Sequence, residues 1–201
     1  MLDKTIEFHS IIMKNPNDRL RETVAVPEGF SVRLYQKGDE KSWAQIQTAV
    51  LEFNSADDAL ACFNHYLEHE DELKKRQLYV IEEKSGKAVA TATAWYSDLN
   101  GKPIGVVHAL SCLQDYQSLG LGKVAASYMM KCFYQVMPGK EVWLDTQTWS
   151  YKALGLYLDL GFIPMKKAVY NEVPNEFDAA LSVLKGKMRE DKYQLFIERA
   201  E

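Results

Sequence analysis

The residues best suited to chemistry lie between Gln117 and Lys123, in the segment QSLGLGK with its two closely spaced glycines. The segment follows an alternating, strand-like run and leads into apolar residues at helical spacing. Glycine lets a backbone approach a ligand closely because it has no Cβ. The first amide groups of a helix have no acceptor within it and carry the positive end of its dipole. Such a turn suits a phosphate or pyrophosphate, with Lys123 adding charge at the rim.

Two other phosphate-binding motifs share part of this glycine pattern. A P-loop requires an earlier glycine and a Ser or Thr after Gly-Lys, whereas Gly122-Lys123 is followed by Val124. Gly120, Gly122 and Ala125 match the spacing of the dinucleotide-binding turn of Rossmann folds. Asp145 lies near the position of the acidic residue that follows this turn in such folds. The strands before the turn, however, have the pattern of an antiparallel meander. A nucleotide-binding protein therefore stays open as an alternative that depends on the glycines alone.

The first half of the chain has the pattern of two helices and a meander. Alternating apolar residues predict three successive strands: Gln77–Glu83, Ala88–Tyr96 and Ile104–Cys112. Asn100-Gly101 is a typical hairpin turn between the last two. A strand at Ser31–Tyr35 precedes a first helix capped by Asp39, and a second helix follows Ser55. We expect the second helix to continue through the charged residues 70–76 as a solvated face.

The residue pattern in the second half of the chain predicts a parallel pair of strands. The helix after the glycine turn connects Ile104–Cys112 to a strand at Glu141–Gln147, and this βαβ crossover makes the two strands parallel neighbours. A helix at Ser150–Leu160, another at Glu176–Arg189 and a closing strand at Tyr193–Glu198 follow. The fold class is therefore mixed α/β, an antiparallel meander followed by a parallel pair with a βαβ crossover.

Length and composition indicate one soluble domain. The chain has 201 residues, 47% hydrophobic and 26% charged, with a formal net charge of −4, so no general attraction to nucleic acid or to an anionic membrane is expected. Residues 1–29 form an N-terminal extension of the domain formed by residues 30–201, with one strand-like piece at Thr5–Met13. No secretion signal or membrane span is expected, because the first residues show no basic stretch followed by an apolar core and no window approaches about 20 apolar residues. The three cysteines are expected to be reduced, and the location cytoplasmic.

Two motifs together resemble the GCN5-related N-acetyltransferase (GNAT) superfamily. The first is Gln-x-x-Gly-x-Gly at Gln117–Gly122, and the second runs from Ser150 to Phe162, with Ala153, Leu156-Tyr157 and Gly161-Phe162 at the recurring spacing. The resemblance implies a GNAT-like acyl-CoA N-acyltransferase fold and direct transfer of the acetyl group of acetyl-CoA to an amine. A non-catalytic acyl-CoA-binding module is the alternative.

The resemblance also implies which residues contact acetyl-CoA. The pantetheine arm is expected to lie along the strand before the turn, and the pyrophosphate on the turn itself. The residues expected to bind the cofactor are Leu110, Cys112, Leu113, Gln117, Ser118, Leu119, Gly120, Leu121, Gly122, Lys123 and Ser150. Ser150 stands where the family commonly has Asn, which implies a weaker or water-mediated contact. No metal ion is expected.

Two residues are expected to be catalytic. Tyr157 occupies the position of the family's usual general acid, and a phenol with a pKa near 10 remains a proton donor at neutral pH. His108 is expected on the same face of its strand as Leu110 and Cys112, where an imidazole with a pKa of about 6.5 suits a proton relay from the amine. Asp145 or an ordered water are the other candidates for this relay. A covalent intermediate on Cys112 is disfavoured because no base is visible beside it.

The acceptor amine is not specified by the sequence. It belongs to a small molecule, a peptide or a protein. Aromatic residues at Trp95, Tyr96, Trp149 and Tyr151 can pack against a cation or an apolar arm. Members of the resembled family are often dimers, so a homodimer is an expectation without an identified surface.

Overall fold

The structure is a computed structural model that describes residues 2–170 and 172–201, a mixed α/β fold with one seven-stranded sheet. Its strands are β1 Ser10–Asn15, β2 Phe30–Leu34, β3 Gln77–Glu82, β4 Lys87–Leu99, β5 Lys102–Cys112, β6 Val142–Gln147 and β7 Ile163–Pro164. Its helices are α1 Glu40–Ala49, α2 Ala56–Leu67, α3 Glu70–Arg76, α4 Leu121–Val136, α5 Tyr151–Asp159, α6 Phe177–Leu184 and α7 Glu190–Glu198. The strand order is β2-β3-β4-β5-β6-β1-β7.

The predicted meander and the predicted parallel pair are both present. β3 pairs antiparallel with β2 and with β4. Only Asn100 and Gly101 connect β4 to β5, and their φ angles of 54° and 78° are those of a two-residue type I′ hairpin. β5 and β6 pair in parallel at Gly105 with Val142 and at Val106 with Trp143. The mixed α/β fold class predicted from the sequence is confirmed.

The chain divides into two compact units, each made of several segments. The first comprises residues 18–95 and 107–138, and the second comprises residues 2–17, 96–106 and 139–201. The expectation of a single domain with an extension at residues 1–29 stays a prediction. No helix among the described residues is both long enough and apolar enough to cross a membrane.

An aromatic core fills the first unit beneath α1 and α2. Trp43 of α1 and Phe63 of α2 are almost completely buried, and their ring centroids lie 5.2 Å apart. These residues occupy the inner faces of two amphipathic helices, as their spacing predicts. Ser55 caps α2 by accepting a hydrogen bond from the backbone N–H of Asp58 at 3.1 Å. Asp39 precedes α1 as predicted, but its side chain makes no cap bond within that helix.

The charged run at residues 70–76 forms a helix of its own instead of extending α2. α2 ends at Leu67, and α3 begins after His69. The run is not solvated throughout, because Arg76 is only 7% exposed. Its Nε donates to Glu72 at 2.7 Å and its Nη1 to the carbonyl of Ala94 at 3.3 Å. These bonds offset the cost of burying the guanidinium group.

The predicted closing strand at Tyr193–Glu198 is wrong, because these residues belong to α7. Tyr193 and Phe196 are buried three positions apart, as on the inner face of a helix. Glu190 and Asp191 lie in the first turn, where acidic side chains favour a helix. α6 is also shorter than the helix predicted for Glu176–Arg189, since it ends at Leu184.

In the second unit, the segment before β1 is held by the loop that precedes α5. β1 lies between β6 and β7 and is antiparallel to both. The indole Nε1 of Trp149 donates to the carbonyl of Ile6 at 2.8 Å, and the Phe8 ring meets the indole edge-on at 5.0 Å. The backbone N–H of Thr148 donates to the carbonyl of His9 at 3.0 Å. These contacts favour a structural role for Trp149 over contact with an acceptor.

Candidate functional site

The turn at residues 117–122 has the backbone geometry of an anion-binding site. Ser118 and Gly120 have left-handed φ angles of 76° and 80°, and Gly120 caps the start of α4. Among the described residues, no backbone carbonyl accepts a well-aligned hydrogen bond from the amides of residues 118 to 122. Nothing lies within 4 Å of the position that a Cβ would take on Gly120 or Gly122. Left-handed residues of this kind turn successive N–H groups to one side, and such concave arrangements bind anions.

The side chains around the turn divide into structural and exposed groups. Gln117 donates from Nε2 to the carbonyl of Cys112 at 3.1 Å, which ties the end of β5 to the turn. Leu121 is completely buried, so only its backbone is available to a ligand. Leu119 and Lys123 are exposed, and Lys123 is therefore able to supply charge to a bound phosphate. The turn where the pyrophosphate is predicted to bind thus presents backbone amides, and Gln117 shapes it.

Within β5, Ala109 has a left-handed φ of 51°, which we interpret as a β-bulge. Gln47 of α1 lies beside this bulge and donates from Nε2 to the carbonyl of Ala109 at 3.3 Å. The Gln47 Oε1 accepts a hydrogen bond from Ser111 at 3.1 Å. His108 lies against α2, where its Nδ1 is 2.9 Å from the hydroxyl of Tyr66.

The bulge changes the predicted face of His108. Contacts to α1 and α2 place Ser111 and His108 on the same side of β5, although regular alternation would put residues three apart on opposite sides. Leu110 and Cys112 are the neighbours of Ser111 in the strand, so by alternation they lie on the opposite side of β5 from Ser111 and His108. The prediction that His108 shares a face with Leu110 and Cys112 is therefore wrong, because a bulge shifts the alternation by one residue.

The partner of His108 is a tyrosine in an aromatic setting. Tyr66 is 9% exposed, and its ring meets Trp95 edge-on at 4.9 Å. Burial raises the pKa of Tyr66 well above its ordinary value, so the phenol is protonated at neutral pH. Its oxygen is able to accept a hydrogen bond from a protonated Nδ1, which leaves the Nε2 lone pair of His108 as the basic site. The helical spacing of Phe63 and Tyr66 indicates one shared face, but no local signal connects Tyr66 to β5.

Cys112 lacks the setting of a nucleophile. Its side chain is half-buried, and burial raises the pKa of the thiol to about 11. A thiol with such a pKa is almost entirely protonated at neutral pH, whereas the thiolate is the reactive form. The neighbouring Leu113 donates its backbone N–H to the carbonyl of Val89 at 2.9 Å, so this amide is already used by β4. Cys112 is therefore suited to a main-chain role.

Cys112→Ala is expected to retain the wild-type turnover of acetyl-CoA, because the thiol takes no part in the reaction. In the wild type, alkylation of Cys112 by iodoacetamide should accelerate only as the pH approaches the thiol pKa of about 11. Steady-state assays and peptide mass spectrometry measure the two effects. Complete loss of turnover in a folded Cys112→Ala protein, or rapid alkylation at pH 7, would contradict this assignment.

Ser150, Tyr157 and Asp145 belong to the second unit. Ser150 is the N-cap residue of α5, and its Oγ accepts a hydrogen bond from Gln147 at 3.4 Å. Tyr157 is 7% exposed and packs edge-on against Phe162 at 5.7 Å. Asp145 is exposed on β6. The structure thus brings His108 and the predicted cofactor residues 110–123 together in the first unit and places Ser150 and Tyr157 in the second.

No metal centre is identified in the described part of the chain, where no three His, Cys, Asp or Glu side chains are grouped to hold an ion. The turn offers backbone amides and one lysine, a donor set suited to a phosphate group. The open space beside Gly120 and Gly122 leaves room for a ligand to lie against the backbone.

Three solved acetyltransferase structures resemble the chain in fold. A GCN5-related N-acetyltransferase from Sphaerobacter thermophilus is 19% identical with a TM-score of 0.63, covering 79% of this chain and 49% of its own. Glucosamine-6-phosphate N-acetyltransferase from Arabidopsis thaliana is 20% identical with a TM-score of 0.50, covering 75% and 100%. An aminoglycoside N-acetyltransferase in complex with CoA is 17% identical with a TM-score of 0.55, covering 73% and 97%.

The chain spans about half the length of the first of these structures. No curated protein sequence matches it. The sequence matches the acetyltransferase (GNAT) family over residues 41–162, which is well over half of the chain and includes both motifs. The protein therefore belongs to the acetyltransferase (GNAT) family.

Proposed function

We propose that the protein is an N-acetyltransferase that transfers the acetyl group of acetyl-CoA directly to an amine of a small molecule, peptide or protein. The observation that carries the proposal is the turn at residues 118–122, whose amides make no well-aligned hydrogen bond to a backbone carbonyl among the described residues and whose glycines face open space. Its position between β5 and α4, in a chain of the GNAT family, makes CoA the ligand that best fits it.

The donor would be held by the turn and by β5. The amides of residues 118–122 and the ammonium group of Lys123 would bind the pyrophosphate. Among the described residues, the parallel ladder of β5 ends at Val106. Backbone groups of Leu110 and Cys112 would then pair with the amides of the pantetheine arm, as a neighbouring strand does. Ser150 would add a polar contact through its Oγ.

Acetyl transfer requires a base for the proton of the amine, a hydrogen-bond donor for the carbonyl oxygen and an acid for the leaving thiolate. When bound, acetyl-CoA supplies a thioester whose carbonyl carbon forms the new C–N bond as its C–S bond breaks. The Nε2 of His108 would take the proton that the amine loses, with Nδ1–H donating to Tyr66. A backbone N–H of β5 would stabilise the negative charge on the carbonyl oxygen. Tyr157 would give its phenolic proton to the departing thiolate.

Asp145 and an ordered water are the other candidates for the base. Asp145 is exposed on β6, and among the described residues its carboxylate has no hydrogen-bonded partner comparable to the Tyr66–His108 pair. His108 is therefore the candidate that the geometry favours.

The purified protein is expected to bind CoA and to release free thiol from acetyl-CoA in the presence of a suitable amine. Isothermal titration calorimetry measures the binding, and a thiol reagent measures the release across a panel of amino sugars, polyamines, amino acids and peptides. A parallel panel of alcohols controls for transfer to oxygen. Failure to bind CoA would overturn the proposal. Binding without turnover on any amine would instead identify an acyl-CoA-binding module.

A further inference from the structure

Gln47 lies within α1, and its side-chain amide is directed at β5. We propose that Gln47 is a positioning residue of the acyl-CoA site, which holds the bulge of β5 so that the backbone of Leu110 faces the pantetheine arm. This role rests on the proposed function, because it concerns the same segment of β5.

The nitrogen and the oxygen of the Gln47 side-chain amide are both hydrogen-bonded to the same short stretch of β5. The side chain is 1% exposed, a burial that is unfavourable for an amide unless its polar atoms are hydrogen-bonded. Its Nε2 donates to the carbonyl of Ala109, and its Oε1 accepts from Ser111. The two bonds bracket Leu110, the first residue expected to contact the cofactor. One side chain of α1 thus fixes the strand on both sides of that residue.

The conformation that Gln47 holds is one that the backbone does not favour. Ala109 has a φ of 51°, in the left-handed region where a Cβ crowds the following carbonyl. A residue other than glycine stays there only when its surroundings determine the conformation. Ala109 packs against the aromatic core that contains Trp43 and Phe63, which supplies apolar contact. Gln47 supplies the directional bond to the peptide group itself.

The orientation of the following peptide groups depends on this bulge. A regular strand at Ala109 would rotate Leu110 to the side of α1 and α2, because alternation would then continue from His108 without a shift. The donors and acceptors of Leu110 and Cys112 would no longer keep their present directions. Loss of the Gln47 amide should therefore weaken contacts to the pantetheine arm and leave those at the phosphate turn unchanged.

The test compares binding of the pantetheine arm with binding of the nucleotide part of CoA. The Gln47→Leu variant is titrated with CoA and, separately, with adenosine 3′-phosphate 5′-diphosphate, which is the nucleotide part alone. Leucine keeps most of the side-chain volume and removes both hydrogen bonds. We expect CoA affinity to fall about tenfold, as for the loss of a well-placed hydrogen bond. Affinity for the nucleotide should be unchanged, because only the turn binds it. Isothermal titration calorimetry gives both values.

Two variants separate positioning from general stability. Gln77→Leu removes another amide that is completely buried in the first unit and that bonds Thr91 of β4. It should lower the unfolding temperature without changing CoA affinity. In an Ala109→Gly background, Gln47→Leu should weaken CoA binding by less than about threefold, because glycine adopts the left-handed conformation without a Cβ penalty. If Gln47→Leu does not fold, Ser111→Ala removes one of the two bonds and should weaken CoA binding by itself.

The outcomes distinguish this role from the proposed function. A wild-type protein that binds neither CoA nor the nucleotide would overturn the proposed function and this role together. A wild type that binds both, with Gln47→Leu weakening both equally or neither, would overturn only the role of Gln47. The role of Gln47 would also be overturned if Gln47→Leu weakened CoA binding as much in the Ala109→Gly background as in the wild type. If Gln47→Leu does not fold, the role would be overturned by a Ser111→Ala variant that binds CoA as tightly as the wild type.

Discussion

Gly122→Val is expected to weaken CoA binding by at least about 100-fold and to leave the fold intact, because the isopropyl group would occupy the space of the pyrophosphate. Gly122 lies in the first turn of α4, and no atom is within 4 Å of its potential Cβ. Its φ is not positive, so valine meets no backbone strain there. Exchanging glycine for valine in a helix changes the free energy of unfolding by only about 0.5 kcal/mol. Calorimetric titration with CoA and thermal unfolding measure the two quantities.

The matched control is Gln135→Val, at an exposed position near the other end of α4. It introduces the same side chain into the same helix, far along the chain from the turn, and should bind CoA as the wild type does. Equal CoA affinity in Gly122→Val and the wild type would contradict the assignment of the turn. A large drop in the unfolding temperature of Gly122→Val would mean that the space beside Gly122 is needed by the fold.

Tyr157→Phe is expected to lower kcat by at least about 100-fold with little change in KM, the effect of removing a general acid. The substitution keeps the ring, which is buried and packs edge-on against Phe162. Only the hydroxyl group is lost, so the thiolate of CoA would have to leave without protonation by this side chain. Steady-state kinetics with an amine identified in the panel give kcat and KM separately. The release of free thiol is the signal that is measured.

Tyr193→Phe is the control for the loss of a buried hydroxyl in the same unit. Tyr193 is 8% exposed and donates to the carbonyl of Leu181 at 3.2 Å. Its removal should cost about 1 kcal/mol of stability, the usual contribution of one hydrogen bond, and leave kcat unchanged. An unchanged kcat in Tyr157→Phe, or an equal loss in both variants, would show that Tyr157 serves packing alone.

Features set by neighbouring residues could be predicted from the sequence. Asn100-Gly101 specifies its hairpin because both positions require positive φ, which these two residues adopt readily. Gly120 specifies the turn before α4 for a similar local reason, because its φ of 80° suits glycine. The predicted cofactor residues of β5 and the turn accordingly lie together in the first unit. The acid role of Tyr157 was predicted only from its place in a family motif, and it stays a prediction.

Features set by distant residues could not be predicted. The bulge at Ala109 depends on Gln47, 62 positions earlier, and an alanine carries no local signal for a left-handed φ. The partner of His108 lies 42 positions away on α2, so alternation along β5 gave the wrong face. The run ending at Glu198 was mistaken for a strand because short apolar runs fit both structures. Its helix is selected by the packing of Tyr193 and Phe196.

The position of β1 between β6 and β7 makes the second unit late to assemble. His9 and Thr148, whose backbones are hydrogen-bonded beside this strand, are 139 positions apart. A contact of such long range is slow to form, since the entropy of closing the loop is lost before any pairing compensates for it. On the ribosome, Ser10–Asn15 emerges well before Val142–Gln147, with Ile11, Ile12 and Met13 still without a core. Until β6 has been synthesised, the nascent chain therefore exposes an apolar strand, which is the kind of segment that chaperones cover.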